Sequence, residues 1–151
     1  MNRLTVHHSG DNSAATGPAR FRGWQRYHMD VRGWGDVAYQ YIVGKSGLVY
    51  EARHTDYRGD TGTTYDPDRH FLVLVEGNFQ SENPTAAQLD RLPMILAWAS
   101  GHFGISPNTI AGHRDFASTA CPGKNLYSLI SGGDLKVQVE ALLASGGVTL
   151  A

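Results

Sequence analysis

Three short segments of this 151-residue chain carry side chains able to do chemistry: Val6-His7-His8-Ser9, Gly112-His113-Arg114-Asp115 and Thr119-Ala120-Cys121-Pro122-Gly123. Two imidazoles and one thiolate form a donor set that zinc favours, and a catalytic zinc takes three protein ligands while keeping a fourth position for water. A single thiolate brings one negative charge, so a bound ion retains net positive charge with which to acidify that water. Pro122-Gly123 imposes a turn directly after Cys121, which can fix the direction of the sulfur. His113 and Cys121 stand eight residues apart, a gap that a loop can fold back across. Each residue also has a plainer reading. A lone Cys is more often a small buried hydrophobe, and His is common at satisfied, half-buried positions. On a strand His7 and His8 point to opposite faces, so one of them faces a site; residue order leaves open which.

The elements that must position these residues follow from periodicity and turn chemistry. Leu4 to Ser9 reads as a strand closed by the small polar stretch from Gly10 to Thr16. From Pro18 to Met29 the aromatic residues Phe21, Trp24, Tyr27 and His28 recur at helical spacing, until Gly33 and Gly35 break the pattern. Ala38 to Val43 and Leu48-Val49-Tyr50 flank the turn Lys45-Ser46-Gly47 and predict a hairpin. Residues 52–69, rich in Asp, Thr and Arg with Ala52 as their lone aliphatic residue, predict a long surface loop of the kind that usually serves function. His70 to Val75 is a continuous apolar run fit for a central strand buried on both faces. Thr85 with Gln88 forms a capping box, opening a helix to Ser100 with Leu89, Leu92, Leu96 and Ala99 inward and Pro93 as a kink. Asn108 to Ala111 reads as a brief strand and Asp134 to Leu143 as a final amphipathic helix. The fold class expected is α/β, a single-domain mixed central β-sheet flanked by helices. The domain is placed at residues 1–143, with a flexible C-terminal tail over 144–151.

Composition narrows the function classes. Apolar residues make up 41% and charged residues 18%, an ordinary globular balance. Thirteen Lys and Arg against fourteen Asp and Glu give a formal charge of -1, which argues against nucleic acid as a partner. No apolar run approaches the roughly 20 residues of a membrane span. The single cysteine excludes an internal disulfide framework. Met1 to Val6 leads straight into the histidines, so no signal-peptide core is read there, and a monomer is expected.

In chain order, the chemical segments are joined by Tyr27-His28, Gly33-Trp34-Gly35-Asp36-Val37-Ala38-Tyr39-Gln40-Tyr41, Gly47-Leu48-Val49-Tyr50-Glu51-Ala52-Arg53 and Val75-Glu76-Gly77-Asn78-Phe79. With these blocks, spanning roughly residues 4 to 131, the chain resembles the zinc-dependent N-acetylmuramoyl-L-alanine amidases. This is the type 2 amidase fold, shared by phage endolysins of the amidase type and peptidoglycan recognition proteins. The resemblance implies one zinc ion per chain held by His7 (rather than His8), His113 and Cys121. It implies Tyr39 as the active-site tyrosine, and Thr119 as the hydroxyl residue that catalytic recognition proteins carry where phage enzymes commonly have lysine. The glutamate that some branches place on the central strand as general base is Leu74 here; Glu76, on the same face by period two, is a substitute candidate for that base, and a solvated strand-end carboxylate is its plainer reading. His28 reads as structural, and His54 departs from the family's Arg-Gly-Trp pattern, so no stem-peptide preference carries over.

The implied function is hydrolysis of the amide between N-acetylmuramic acid and L-alanine of peptidoglycan, by a phage endolysin held in the host cytoplasm until its release. A cell-wall recycling amidase is the alternative setting. A non-catalytic peptidoglycan-binding module is the alternative function, although members of that kind typically lack the cysteine. A structural zinc domain would need a fourth ligand, from His8 or His28.

Overall fold

The computed structural model describes residues 1–149. Its centre is a five-stranded mixed sheet built from β1 (Arg3–His8), β2 (Tyr41–Val43), β3 (Val49–Glu51), β4 (His70–Val75) and β5 (Ala111–Gly112). The spatial order is β3-β2-β4-β1-β5, with β4 parallel to β1 and β2, β5 parallel to β1, and β3 antiparallel to β2. Flanked by strands on both edges and covered on both faces, β4 is buried along its whole length, as its unbroken apolar run predicts.

Alternation divides the sheet residues between two faces. Leu4, Val6, Tyr41, Val43, Phe71, Val73 and Val75 pack on one side into the main core with Leu92, Ile95, Leu96 and Ala99 of α2 (Ala86–Phe103). Ile42 and Leu74 face the other side, under Phe21 of α1 (Pro18–Arg26), in a smaller cluster that also takes Trp24, Tyr39 and Tyr50. Thr5 and His7 alternate with Leu4 and Val6, so they lie on this second side. This second side, the front face, therefore combines a small apolar cluster with the polar Thr5 and His7. The fold ends with α3 (Lys124–Ser131), which the periodicity reading passes over, and α4 (Asp134–Ala144). Beyond α4, Val148 packs against the main core, and the last two residues of the expected tail over 144–151 lie outside the described residues.

Several elements differ from expectation for identifiable reasons. The first helix is α-helical only to Arg26; Tyr27–Val31 is one π-helical turn, a feature frequent at functional sites. Regular strand pairing of β2 begins at Tyr41 rather than Ala38, because the buried Gln40 side chain takes a place in the ladder. Its Oε1 accepts the Leu72 N–H at 2.9 Å. The chain expected as a strand over 108–111 is a 3₁₀ turn at Pro107–Thr109 followed by β5. In α2 the capping box forms, with Thr85 Oγ1 accepting from Gln88 N and Gln88 Oε1 accepting from Thr85 N. Leu89, expected inward, is 39% exposed, because the inward position belongs to Gln88. The Gln88 amide donates to the carbonyls of Glu76 and Val43, and Leu92, Ile95, Leu96 and Ala99 continue that face.

Glu76 departs furthest from expectation. It is not solvated: it is fully buried, and both carboxylate oxygens are occupied. Oε1 accepts from Arg20 Nη1 at 3.1 Å and from Gly17 N at 3.3 Å, while Oε2 accepts from Lys45 N at 2.9 Å. Arg20 in turn pairs with Asp11 and donates to Ala15 O. This carboxylate ties α1 and the β2–β3 turn to the end of β4, and its hydrogen bonds go to Gly17, Arg20 and Lys45 rather than to a histidine.

Candidate metal centre

His7 reaches the front face because β1 is a regular strand whose neighbours Val6 and His8 point away from it. His8 turns to the far side, where its Nδ1 accepts the Phe79 N–H at 3.2 Å. The alternation thus turns His7, and not His8, to the front face. His113 follows β5 immediately, in a 3₁₀ turn whose geometry Asp115 fixes: Oδ2 accepts Gly112 N at 2.8 Å and Oδ1 accepts the Tyr127 hydroxyl at 2.6 Å. Cys121 is folded back toward His113 by bonds from the same block. The Arg114 N–H donates to Cys121 O at 3.0 Å and the Arg114 guanidinium to Ala120 O. The turn after Cys121 needs glycine. Gly123 has φ +87°, and a Cβ there would lie 2.3 Å from the Phe79 carbonyl carbon.

The outcome is a cluster in which one ligand atom from each of His7, His113 and Cys121 lies within 4.8 Å of the others. Cys121 Sγ and His7 Nδ1 are 3.6 Å apart, and the two imidazole centroids 4.7 Å. Zinc bonds of about 2.0–2.1 Å to nitrogen and 2.3 Å to sulfur, in tetrahedral array, require donor separations of roughly 3.3–3.8 Å. The Sγ–Nδ1 separation falls in that range, and the donor set, gathered within 4.8 Å, suits one such ion. The backbone N–H of His8 donates to Sγ at 3.4 Å, a contact that supports a thiolate. His8 and His28 each commit a ring nitrogen to a backbone N–H, of Phe79 and Ala38 respectively. Neither belongs to the metal cluster found among the described residues.

Electrostatics prepare the two imidazoles to bind a cation of this type, while the thiol must first lose a proton. Burial, then the neighbouring His113, holds the His7 pKa well below its ordinary value, and burial lowers that of His113. Both imidazoles are therefore neutral at pH 7 and able to donate a lone pair. Burial pushes the Cys121 thiol up to about 12 in the metal-free protein. Loading a divalent ion must then displace one proton, from sulfur. The metal affinity is expected to rise about tenfold for each pH unit above roughly pH 7, where both imidazoles are neutral. Calorimetry in buffers of different ionisation enthalpy measures the protons released, and a release of zero would show the thiolate already formed.

Tyr39 stands at the edge of the cluster, its ring 5.1 Å from that of His7. Burial, then the adjacent Cys121 and Tyr65, raises its phenol pKa above the ordinary value, so it keeps its proton as a donor. The segment before it is held by His28, whose Nδ1 accepts the Ala38 N–H at 3.1 Å. Thr119 lies two residues before Cys121, where its Oγ1 accepts the Cys121 N–H at 3.2 Å and retains its own proton. Arg53 is buried by a 2.7 Å ion pair with Asp60 and by bonds to Asp36 O and Arg58 O. With exposed His54 and Tyr57 it borders a cleft of about 470 Å³.

Two residues of the centre escape sequence reading. Thr63 Oγ1 lies 2.7 Å from His113 Nε2, and the Tyr65 hydroxyl lies 3.4 Å from His7 Nε2. Both come from the loop 52–69, whose length was the one signal pointing to them.

Residues 1–124 match the family model described as N-acetylmuramoyl-L-alanine amidase. The chain is 37% identical over 114 residues to the human N-acetylmuramoyl-L-alanine amidase, covering 74% of this chain and 20% of that protein, so it spans about a fifth of that relative's length. It is 32% identical over 134 residues to peptidoglycan-recognition protein SC2 of Drosophila simulans, covering 86% of this chain and 72% of the relative. Human PGRP-IβC, solved in complex with glycosamyl muramyl pentapeptide, superposes with a TM-score of 0.74 at 25% identity, covering 86% of this chain and 81% of that one. The amidase LysC of Clostridium intestinale shares the fold, with a TM-score of 0.75 at 24% identity over 98% of this chain and 86% of that one. The chain belongs to the N-acetylmuramoyl-L-alanine amidase family.

Proposed function

We propose that the protein is a zinc-dependent amidase that hydrolyses the bond between N-acetylmuramic acid and L-alanine in peptidoglycan. The observation that carries this is the cluster of His7, His113 and Cys121, three ligands with neither His8 nor His28 free to close a fourth position. Three protein ligands are the catalytic pattern, and four the structural one. The cysteine supports catalysis over a purely binding module, since two imidazoles alone leave the ion under-coordinated. The muramyl pentapeptide bound by the related human protein supports the substrate class.

When bound, zinc supplies a Lewis acid for the scissile carbonyl and a water acidified toward a pKa of about 7. Tyr39 donates a hydrogen bond to the oxygen that gains charge as the amide carbon becomes tetrahedral. Thr119, through its remaining proton, holds that oxygen from the side of the Cys121 turn. His7, on the strand β1, sets the position of the centre relative to the sheet, and the cleft bordered by Arg53, His54 and Tyr57 is the place we assign to the stem peptide.

End-group analysis of purified peptidoglycan tests the reading. New amino-terminal alanine is expected, absent after chelation and restored by zinc. New reducing ends would make the protein a glycosidase, and no new ends with the protein pelleting on the wall would make it a binding module. Tyr39→Phe is expected to retain zinc and to lower kcat roughly 10²-fold, the cost of losing an oxyanion donor. Wild-type turnover in that variant would reduce Tyr39 to a packing residue.

The biological setting we propose is lysis by a phage endolysin. Intact sacculi should then lose turbidity on incubation with the protein, whereas a recycling amidase would cleave soluble muramyl peptides and leave sacculi unchanged.

A further inference from the structure

The loop 52–69 places two hydroxyls against the far nitrogens of the two imidazoles, one to each. Thr63 makes the closer contact, with Oγ1 2.7 Å from His113 Nε2. Thr63 is itself held from behind: its Oγ1 lies 2.8 Å from Thr61 Oγ1, and its N–H donates to that same oxygen at 3.2 Å. A hydroxyl has one proton to give. If Thr63 gives it to Thr61, the remaining lone pairs of Oγ1 face His113 Nε2, and that nitrogen must be the one that carries hydrogen. His113 Nδ1 is then left with the free lone pair.

Resting on the zinc reading above, we propose that Thr63 is a positioning residue for the metal centre. With Thr61 behind it, Thr63 fixes His113 in the Nε2–H tautomer and in the ring orientation that offers Nδ1 to the ion. Tyr65 makes a longer contact of the same kind to His7 Nε2, at 3.4 Å, while His7 Nδ1 faces Cys121 Sγ at 3.6 Å. Both imidazoles then bind through Nδ1, and the loop acts as the outer shell of the centre. The loop is anchored to the sheet: the Asp60 N–H donates to Ala38 O at 3.2 Å, and a Cβ on Gly59 would lie 2.4 Å from Leu72 Cδ1. This anchoring lets a segment without regular secondary structure orient a side chain in the 3₁₀ turn after β5.

The test compares wild type, Thr63→Val and Thr63→Ser, with zinc affinity read by competition against a chromophoric chelator and tautomer by ¹⁵N NMR of the histidine rings. Valine keeps the shape and removes the hydrogen bond; serine keeps the hydrogen bond. Thr63→Val is expected to bind zinc about 10- to 100-fold more weakly, with the melting temperature of the metal-free protein unchanged, and Thr63→Ser to recover most of the affinity. In zinc-loaded wild type the His113 spectrum should show a protonated Nε2 and a metal-bound Nδ1. Wild-type affinity in Thr63→Val, an equal loss in Thr63→Ser, or a metal-bound Nε2 on His113 would each overturn the proposal. Failure of wild type itself to bind zinc would instead overturn the amidase reading.

Discussion

Cys121→Ser is expected to lose zinc and amidase activity together, leaving a folded protein that does not cleave peptidoglycan. The thiolate is the one anionic ligand in the cluster, and the two neutral imidazoles cannot compensate its charge. A serine hydroxyl stays protonated near neutral pH and is a poor zinc ligand. The affinity should therefore fall by more than the roughly 10- to 100-fold that removal of an outer-shell partner costs. The metal-free fold should tolerate the change, because Cys121 is only half-buried and serine can still accept the His8 N–H. Metal content after gel filtration, activity on sacculi and the melting temperature of the metal-free protein check the three parts. Full activity without bound metal would end the zinc mechanism.

Glu76→Gln is expected to be the most damaging isosteric change to stability. The volume hardly alters, so no cavity contributes. What changes is that an amide NH₂ must face a set of donors, Gly17 N–H, Arg20 Nη1 and Lys45 N–H, at positions where two carboxylate oxygens accept them. One donor at least is left without an acceptor, and the Arg20 guanidinium loses a fully buried counter-charge. Breaking a buried pair on one side costs about 3–5 kcal/mol, which in a domain of this size lowers Tm by roughly 6–20 °C. The retained pairing of Arg20 with Asp11 and Ala15 O places the expectation toward the lower end. Urea and thermal unfolding of the metal-free protein measure it. A Tm within about 2 °C of wild type would show that the carboxylate is dispensable to the fold.

Much of this molecule is legible in its residues one segment at a time. The unbroken apolar run from His70 to Val75 marks a strand covered on both faces, and β4 is that strand. Thr85 and Gln88 mark a capping box, and both of its bonds are made. Legibility fails where a side chain's partner lies far along the chain. Glu76 reads as a solvated strand end because its acceptors' partners, Gly17, Arg20 and Lys45, are 31 to 59 residues away. Leu89 reads as inward because nothing local says that Gln88 will take that position to satisfy the carbonyls of Val43 and Glu76. The π-helical turn at Tyr27–Val31 likewise leaves no period that distinguishes it from the α-helix before it.

The same division runs through the candidate metal centre. By itself the sequence determined the chemistry available: two imidazoles, one thiol, a phenol and a turn after the thiol, in blocks that belong to one family. Those are properties of residue type and short spacing, which covalent structure alone preserves. Only the tertiary structure decided that Cys121 Sγ comes within 3.6 Å of His7 Nδ1 across 114 positions, because only the β1–β5 pairing puts the two ends of the chain on one edge of the sheet. Only the tertiary structure, too, brought Thr63 to His113, 50 residues apart, because the loop is docked on β4 by packing that no local pattern encodes. Donor chemistry is local, but the orientation of a donor depends on what stands behind it, and that is set by the packing of distant segments.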